Sequence, residues 1–247
     1  MKAEFVLTVA ESKRLIAKGV AALDIVREKL QEGVIVVTSG STNAYVYEEL
    51  MGETIDKRAY VSGRTMPATA ARTWNVERMP DLVLVNGKPR PDLDRFSVLE
   101  VMKEGDIYIK GANALNYAAG VAGVTIGHPT GGTLGGALGA VISKKLRLLI
   151  PVGLEKEIPY DLQDVSAMIA EPDETLGRVY SLWPVRGQIF TEIEALRVLC
   201  GVEAVPTAAG GIGGAEGGLR LMVRGDAEGV RATLELVKSI QGEPALG

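Results

Sequence analysis

The sequence predicts an α/β protein: a mostly parallel sheet flanked by helices, with a small α+β domain at its C-terminal end. Composition is the first support. Apolar residues make up 47% and aromatics only 5%, with 30 glycines, which suits closely packed helices on a sheet better than an aromatic-rich β-sandwich. The second is Val34-Ile35-Val36-Val37, an unbroken apolar run of the kind buried on both faces of a parallel sheet, feeding directly into a small polar loop and a helical stretch. The third is the stretch from Asp106 to Ile150. There two strand-like runs, Ile107-Tyr108-Ile109 and Leu146 to Ile150, frame a Gly/Ala-rich segment that holds the single histidine, His128.

In order, Phe5 to Val9 reads as a short edge strand or a helical lead-in. Thr8 and Glu11 have capping-box spacing, which starts a helix near Val9. Leu15, Ile16, Val20, Leu23, Val26 and Leu30 recur at helical steps, and Gly33 stops them. After Val34–Val37 comes Thr38-Ser39-Gly40-Ser41-Thr42-Asn43, then a helix from Ala44 to Met51 ended by Gly52. Tyr60 to Pro80 carries Arg64, Arg72, Arg78 and Trp74 and reads as a surface excursion, or as a flap whose arginines reach an anion or a neighbouring subunit. Leu82–Val85 is a strand and Asn86-Gly87 a hairpin turn. Phe96 to Met102 is a short helix or strand. Gly131, Gly132 and Thr133 open a helix with Leu134, Leu138, Val141 and Ile142 buried. Pro159 and Pro172 mark a linker region, with Val165–Ala170 another strand candidate. From Arg178 the order is strand (Val179–Val185), helix (Gln188–Cys200), strand (Val202–Thr207), glycine loop (Gly210–Gly218), strand (Leu219–Val223) and helix (Ala227–Ile240). That is most of a ferredoxin-like unit. The expected division is residues 1–175 and 176–247.

Charge excludes some functions. With 27 basic and 31 acidic residues the net charge is −4, which implies no general affinity for nucleic acid or an anionic membrane. No apolar run reaches the roughly 18 residues of a membrane span. One cysteine, Cys200, forms no internal disulfide, and no signal peptide opens the chain, so a reducing cytoplasm is expected. One histidine and one cysteine leave no clustered metal-ligand spacing, and no cofactor or metal is expected.

Strand, small-residue loop, helix is the layout of an anion-binding turn. Helix-start N–H groups and the hydroxyls of Ser39, Ser41 and Thr42 can surround a phosphate. The loop is neither a Walker A motif, since no Lys follows the glycine, nor a G-x-G-x-x-G turn. The plainer reading is a capped helix after a strand.

The N-terminal helix followed by VIVVTSGSTNAYVYEEL resembles the opening of ribose-5-phosphate isomerase A, whose strand leads into a G-x-G-S-T phosphate loop and a helix. The segment Lys110-Gly111-Ala112-Asn113-Ala114-Leu115-Asn116 resembles that family's D-G-A-D-E-x-D segment. GGTLGGALGAVISKKLRLLIPVGLEKEI resembles its glycine turn, helix and strand. The resemblance extends to the superfamily of sugar-phosphate isomerases, glucosamine-6-phosphate deaminases and CoA transferases. It implies a Rossmann-like main domain, a ferredoxin-like lid and frequent homo-oligomers.

The departures matter as much. The isomerase needs a carboxylate base, yet the matching positions hold Lys110, Asn113, Ala114 and Asn116, and the family's helix glutamate falls near Gly136. An amide cannot take up the proton, and no glutamate stands in the context of a CoA-transferase nucleophile. The expected function is therefore binding of a phosphorylated or otherwise anionic small metabolite. Its site would comprise Ser39, Gly40, Ser41 and Thr42, with Gly111, Ala112, Asn113, Asn116, Gly131, Gly132 and Thr133 as the opposite wall. The alternatives are an enzyme of different chemistry, with His128, Lys110 and Glu216 as titratable candidates, or a structural assembly protein. Each candidate has a plainer role: His128 as a turn residue, Lys110 as a strand-end surface charge, Glu216 as a solvated loop residue.

Overall fold

The computed structural model describes residues 1–67 and 74–246; Arg72 lies outside them. The chain opens with β1 (Lys2–Leu7), which settles the choice at Phe5 in favour of an edge strand. Thr8 then caps α1 (Val9–Ala22) with the expected box: its side chain accepts from the Glu11 N–H, and the Glu11 carboxylate accepts from the Thr8 N–H at 2.8 Å. The periodicity that ran on to Leu30 breaks at Leu23, where extended backbone separates α1 from α2 (Asp24–Gln31). β2 (Val34–Val37) follows, buried at all four positions, and then α3 (Ser41–Met51), which ends at Gly52 in the left-handed region, φ 67°.

β3 (Leu82–Val85) and β4 (Lys88–Pro89) form the hairpin that Asn86-Gly87 signals, with both turn residues at positive φ, 51° and 71°. Ser97–Glu100 is a single 3₁₀ turn. β5 (Ile107–Ile109) is fully buried. The Gly/Ala-rich segment after it holds an unexpected hairpin, β6 (Ala114–Asn116) and β7 (Val121–Ile126), before α4 (Gly132–Ser143) and β8 (Arg147–Pro151). The strand expected at Val165–Ala170 is instead the end of α5 (Leu162–Ala170). Asp161 caps it, accepting the Gln163 N–H at 2.7 Å, and the local cap outweighs the apolar run. The chain closes with β9 (Ser181–Val185), β10 (Gln188–Phe190), α6 (Glu192–Cys200), β11 (Glu203–Ala209), β12 (Leu219–Arg224) and α7 (Ala227–Ile240). The helix expected from Gln188 thus starts four residues later, after a strand.

The result is a mixed α/β fold with three sheets among the described residues. The largest has the order β10-β8-β5-β2-β3-β4: the first four strands are parallel, and β3 and β4 are antiparallel additions. α1 packs between α3 and α6. At one close approach, a β-carbon at Gly19 would stand 2.7 Å from Ala195. β6, β7 and β9 form a small antiparallel sheet backed by α5. β1, β12 and β11 form another. Three pairings cross the division expected at residues 175 and 176, since β1 pairs with β12, β10 adds to β8 and β9 pairs with β7. Among the described residues no helix is long and apolar enough to cross a membrane.

Candidate functional site

The large sheet is built outward from β2. The chain leaves β2 through α3 to reach β3 on one side, then returns to β5 on the other and continues to β8 and β10. The strand order therefore reverses at β2, and in open α/β sheets ligands bind beyond the carboxyl ends of the strands at such a point. Each of the four parallel strands delivers polar side chains to that edge.

After β2, the Thr38 N–H and hydroxyl both donate to the Ile109 carbonyl, at 3.1 and 3.0 Å, which ties the loop to β5. The Asn43 amide donates to the Thr38 carbonyl at 2.7 Å. Asn43 is fully buried, yet its Oδ1 has no partner, and neither has the hydroxyl of buried Thr42. Such groups normally find partners, because leaving one unpaired costs about 1–3 kcal/mol. α3 itself starts at Gly40 without a side-chain cap.

Ser39 is held from three sides. Its N–H donates to Asp81 at 2.8 Å, its hydroxyl donates to Ser62 at 2.9 Å, and Arg95 donates to that same hydroxyl at 3.2 Å. Arg95 also pairs with Asp81 and donates to the Thr133 hydroxyl at 2.9 Å. One guanidinium thus joins the β2 loop to the start of α4. Gly131, at φ 81°, precedes that helix with no side-chain cap.

After β5 comes Lys110, partly buried, whose ammonium donates only to its neighbour's carbonyl, Gly111, at 2.8 Å. Burial, and then the nearby charges of Lys156 and Arg95, bring its pKa down to about 8. Gly111 lies between β8 and α3: a β-carbon there would stand 3.8 Å from the Pro151 carbonyl and 3.9 Å from Asn43 Oδ1. After β8, Lys156 donates to the Ala112 carbonyl at 2.8 Å, and burial lowers its pKa. Both carboxylate oxygens of Glu155 are buried without a hydrogen-bond partner. After β10, Glu192 opens α6 with no exposed surface and accepts the Leu154 N–H at 3.1 Å. Burial and the charge of Glu155 push its carboxyl up to about 7. Lys13 of α1 lies within the fields of Glu155, Lys156 and Glu192, and burial lowers its pKa as well.

Among the described residues, none of Lys13, Lys110 and Lys156 has a carboxylate within 4.0 Å. Asp81 is engaged by Arg95, and Glu192 is partly protonated at neutral pH. Lys13 and Lys156 thus share the fields of Glu155 and Glu192, while Lys110 feels Lys156, Arg95 and, in the opposite sense, Asp81.

The structure brings the expected Ser39–Thr42 loop together with Lys110, Gly111, Ala112 and Thr133. It gives Asn113 and Asn116 backbone duties. Asn113 accepts the Thr125 N–H at 3.0 Å; Asn116 donates to the Tyr160 carbonyl at 2.9 Å and accepts the Ala119 N–H at 3.0 Å. Glu216 is exposed and accepts the Gly214 N–H of its own loop at 2.9 Å. The His128 ring bonds Thr130 at 2.9 Å, in the wall of a cleft of about 850 Å³ shared with Arg178, Tyr180 and Trp183; no residue of Ser39–Thr42, nor Lys110 or Gly111, lines that cleft. At Gly136, where the resembled family carries its glutamate, a β-carbon would stand 2.4 Å from the Phe96 ring. A larger side chain there would require the exposed Phe96 ring to move aside. Arg64 stacks on Trp74 at 4.5 Å.

Lys13, Asn43, Arg95, Glu155, Lys156 and Glu192 were not expected at the site. They come from separate parts of the chain and converge only once the parallel strands align, so no local motif marks them. Comparison with family models, curated proteins and solved structures finds no match for this chain.

Proposed function

We propose that this chain binds a small phosphorylated or otherwise anionic metabolite at the carboxyl ends of its parallel strands, in a Rossmann-like pocket of the sugar-phosphate-isomerase type. The N-terminus of α3 would hold one end of the ligand, and Lys110 and Lys156 would neutralise its charge. The carrying observation is the set of partly buried lysines with no carboxylate in ion-pair reach among the described residues. Holding such charges out of water is unfavourable unless a counter-charge arrives. An anion supplies it, and its oxygens suit the uncapped start of α3. The position of the cluster at the reversal of strand order supports the same reading.

The sheet β1-β12-β11 with α6 and α7 supports a ferredoxin-like reading of the C-terminal part, with β10 given over to the large sheet. The isomerase reaction itself is not proposed, because Lys110, Asn113, Ala114 and Asn116 stand where that chemistry needs carboxylates. A thermal-shift panel of inorganic phosphate, pentose and hexose phosphates, nucleotides and CoA esters tests the reading. A true ligand stabilises by RT ln(1 + [L]/Kd), about 2.7 kcal/mol at a hundred times Kd. Equal melting temperatures with and without every member of the panel would remove it.

A further inference from the structure

We propose that Lys110 is an amine nucleophile that forms an imine with the carbonyl carbon of an anionic oxo-compound, an aldehyde or ketone bearing a phosphate or carboxylate. The inference rests on the anion site proposed above and names the reactive part of its ligand.

Four features single out Lys110. It follows the end of β5, beside β2, where the strand order reverses and open α/β sheets bind ligands. Its single hydrogen bond is to the neighbouring Gly111 carbonyl, which leaves two of its three donor positions unused. Among the described residues no carboxylate lies within ion-pair distance of it; burial, Lys156 and Arg95 oppose its charged form, and the more distant Asp81 favours it. Finally, Gly111 beside it carries no side chain, and the facing Asn43 Oδ1 is unpaired. That oxygen can accept a hydrogen bond from a hydroxyl formed at the reacting carbon. A lysine without a carboxylate partner, near a second cation, is the arrangement that frees an amine lone pair near neutral pH. A pKa near 8 in place of 10.5 raises the neutral fraction at neutral pH on the order of a hundredfold.

The step balances without a further reactant. The ammonium loses one proton to water, and the nitrogen lone pair attacks the carbonyl carbon as the C=O π pair moves to oxygen. A second N–H proton passes to the oxygen to give the carbinolamine, water returns the first proton to that oxygen, and the oxygen leaves as water while the nitrogen lone pair forms C=N⁺. One ammonium and one carbonyl give one iminium and one water, with charge conserved. The anionic end of the compound would lie against Lys156 and the start of α3.

Reductive trapping tests this on the full-length chain. The probes are pyridoxal 5′-phosphate, an aldehyde carrying a phosphate, and pyridoxal, the same aldehyde without one; borohydride then fixes any imine for peptide mapping by mass spectrometry. The expected result is a dominant adduct on Lys110. It should form at least tenfold faster with the phosphorylated aldehyde, slow in excess inorganic phosphate and be absent in Lys110→Met. Lys110→Met should melt no lower than the parent, since it removes an unpaired charge; if it fails to fold, the parent peptide map decides alone. Adducts spread over exposed lysines such as Lys103 and Lys145, or centred on Lys156, would overturn the assignment. Equal rates with the two aldehydes would overturn its anionic half. Thermal protection by inorganic phosphate without an adduct on Lys110 would remove the imine and leave the anion site standing; absence of both would remove the two together.

Discussion

Lys110 and Lys156 grip consecutive carbonyls of one loop, those of Gly111 and Ala112, each at 2.8 Å. The two ammonium groups follow different strands, β5 and β8; burial and then Lys156 disfavour the charged form of Lys110, and burial disfavours that of Lys156. A pair of like charges held this way is costly to the empty protein and useful to one that receives an anion.

That cost gives the first prediction. Lys156→Met should raise the stability of the ligand-free chain, or leave it unchanged, while weakening phosphate binding at least tenfold. Urea unfolding and isothermal titration with inorganic phosphate measure the two. A stability loss of several kcal/mol would instead show that the Ala112 contact is structural.

The second prediction concerns pH. The Glu192 carboxyl sits at about 7 in the folded chain against an ordinary 4.5, so the folded state binds more protons than the unfolded one between those values. Stability should therefore fall as pH rises from about 4.5 to 7 and level off above. Its contribution is at most about 3 kcal/mol, from 1.36 kcal/mol per pKa unit. Glu192→Gln keeps an acceptor for the Leu154 N–H and should flatten that slope. Lys110 acts in the next window with the opposite sign. Its depressed pKa means the unfolded state binds more protons between about 8 and 10.5, so its contribution to stability rises with pH there.

A third prediction follows from the buried ionic knot on α1. Arg14 pairs with Glu48, with Glu49 at 2.9 Å and with Glu243 at 2.9 Å, and lies over the Tyr45 ring at 4.9 Å. It thereby ties α1, α3 and the chain end together. Arg14→Ala leaves Glu48 and Glu243 to Lys57 and Glu49 to Lys18, so by chemical denaturation it should cost less than the roughly 3–5 kcal/mol of a fully unpaired buried charge. Arg14→Lys should recover only part of it, because an ammonium cannot form the same fork.

Tyr60 supplies a fourth. Its hydroxyl donates to the Val37 carbonyl at 2.5 Å and accepts the Leu82 N–H at 2.8 Å, bridging β2 and β3 just where their ladder ends. Tyr60→Phe strands both buried groups and should cost about 1–3 kcal/mol. It should also loosen the neighbouring Ser39 loop, seen as faster amide hydrogen exchange at Ser39 and Gly40.

The strands at the centre of the large sheet were plain in the sequence, because β2, β5 and β8 are apolar runs buried on both faces. The end of α3 was plain too, since Gly52 adopts a left-handed conformation that other residues resist. The hairpin β6–β7 was not, because β6 is only three residues and the Val, Thr and Ile of β7 sit among glycines and alanines, with the pairing completed by β9, some 60 residues on. α5 was misread for a related reason: Val165 to Ala170 is apolar in either conformation, and the Asp161 cap decides between them. At the site, the Ser39–Thr42 loop announced itself through local chemistry. Arg95 and Glu192 did not, because their meaning depends on strands that meet only in the fold. Lys110 stands in the sequence as a titratable candidate with a plainer role as a strand-end charge, and only the fold shows that among the described residues no carboxylate pairs with it.

The central claim, an anion site at the carboxyl edge of the parallel strands, is tested most directly by the melting temperature of the full chain as inorganic phosphate is raised at constant ionic strength. The parent should gain stability along RT ln(1 + [L]/Kd) and reach saturation of the site, while the Lys110→Met, Lys156→Met double variant should show no phosphate-dependent gain. A parent that melts at the same temperature throughout, or a double variant that gains as much as the parent, would contradict it.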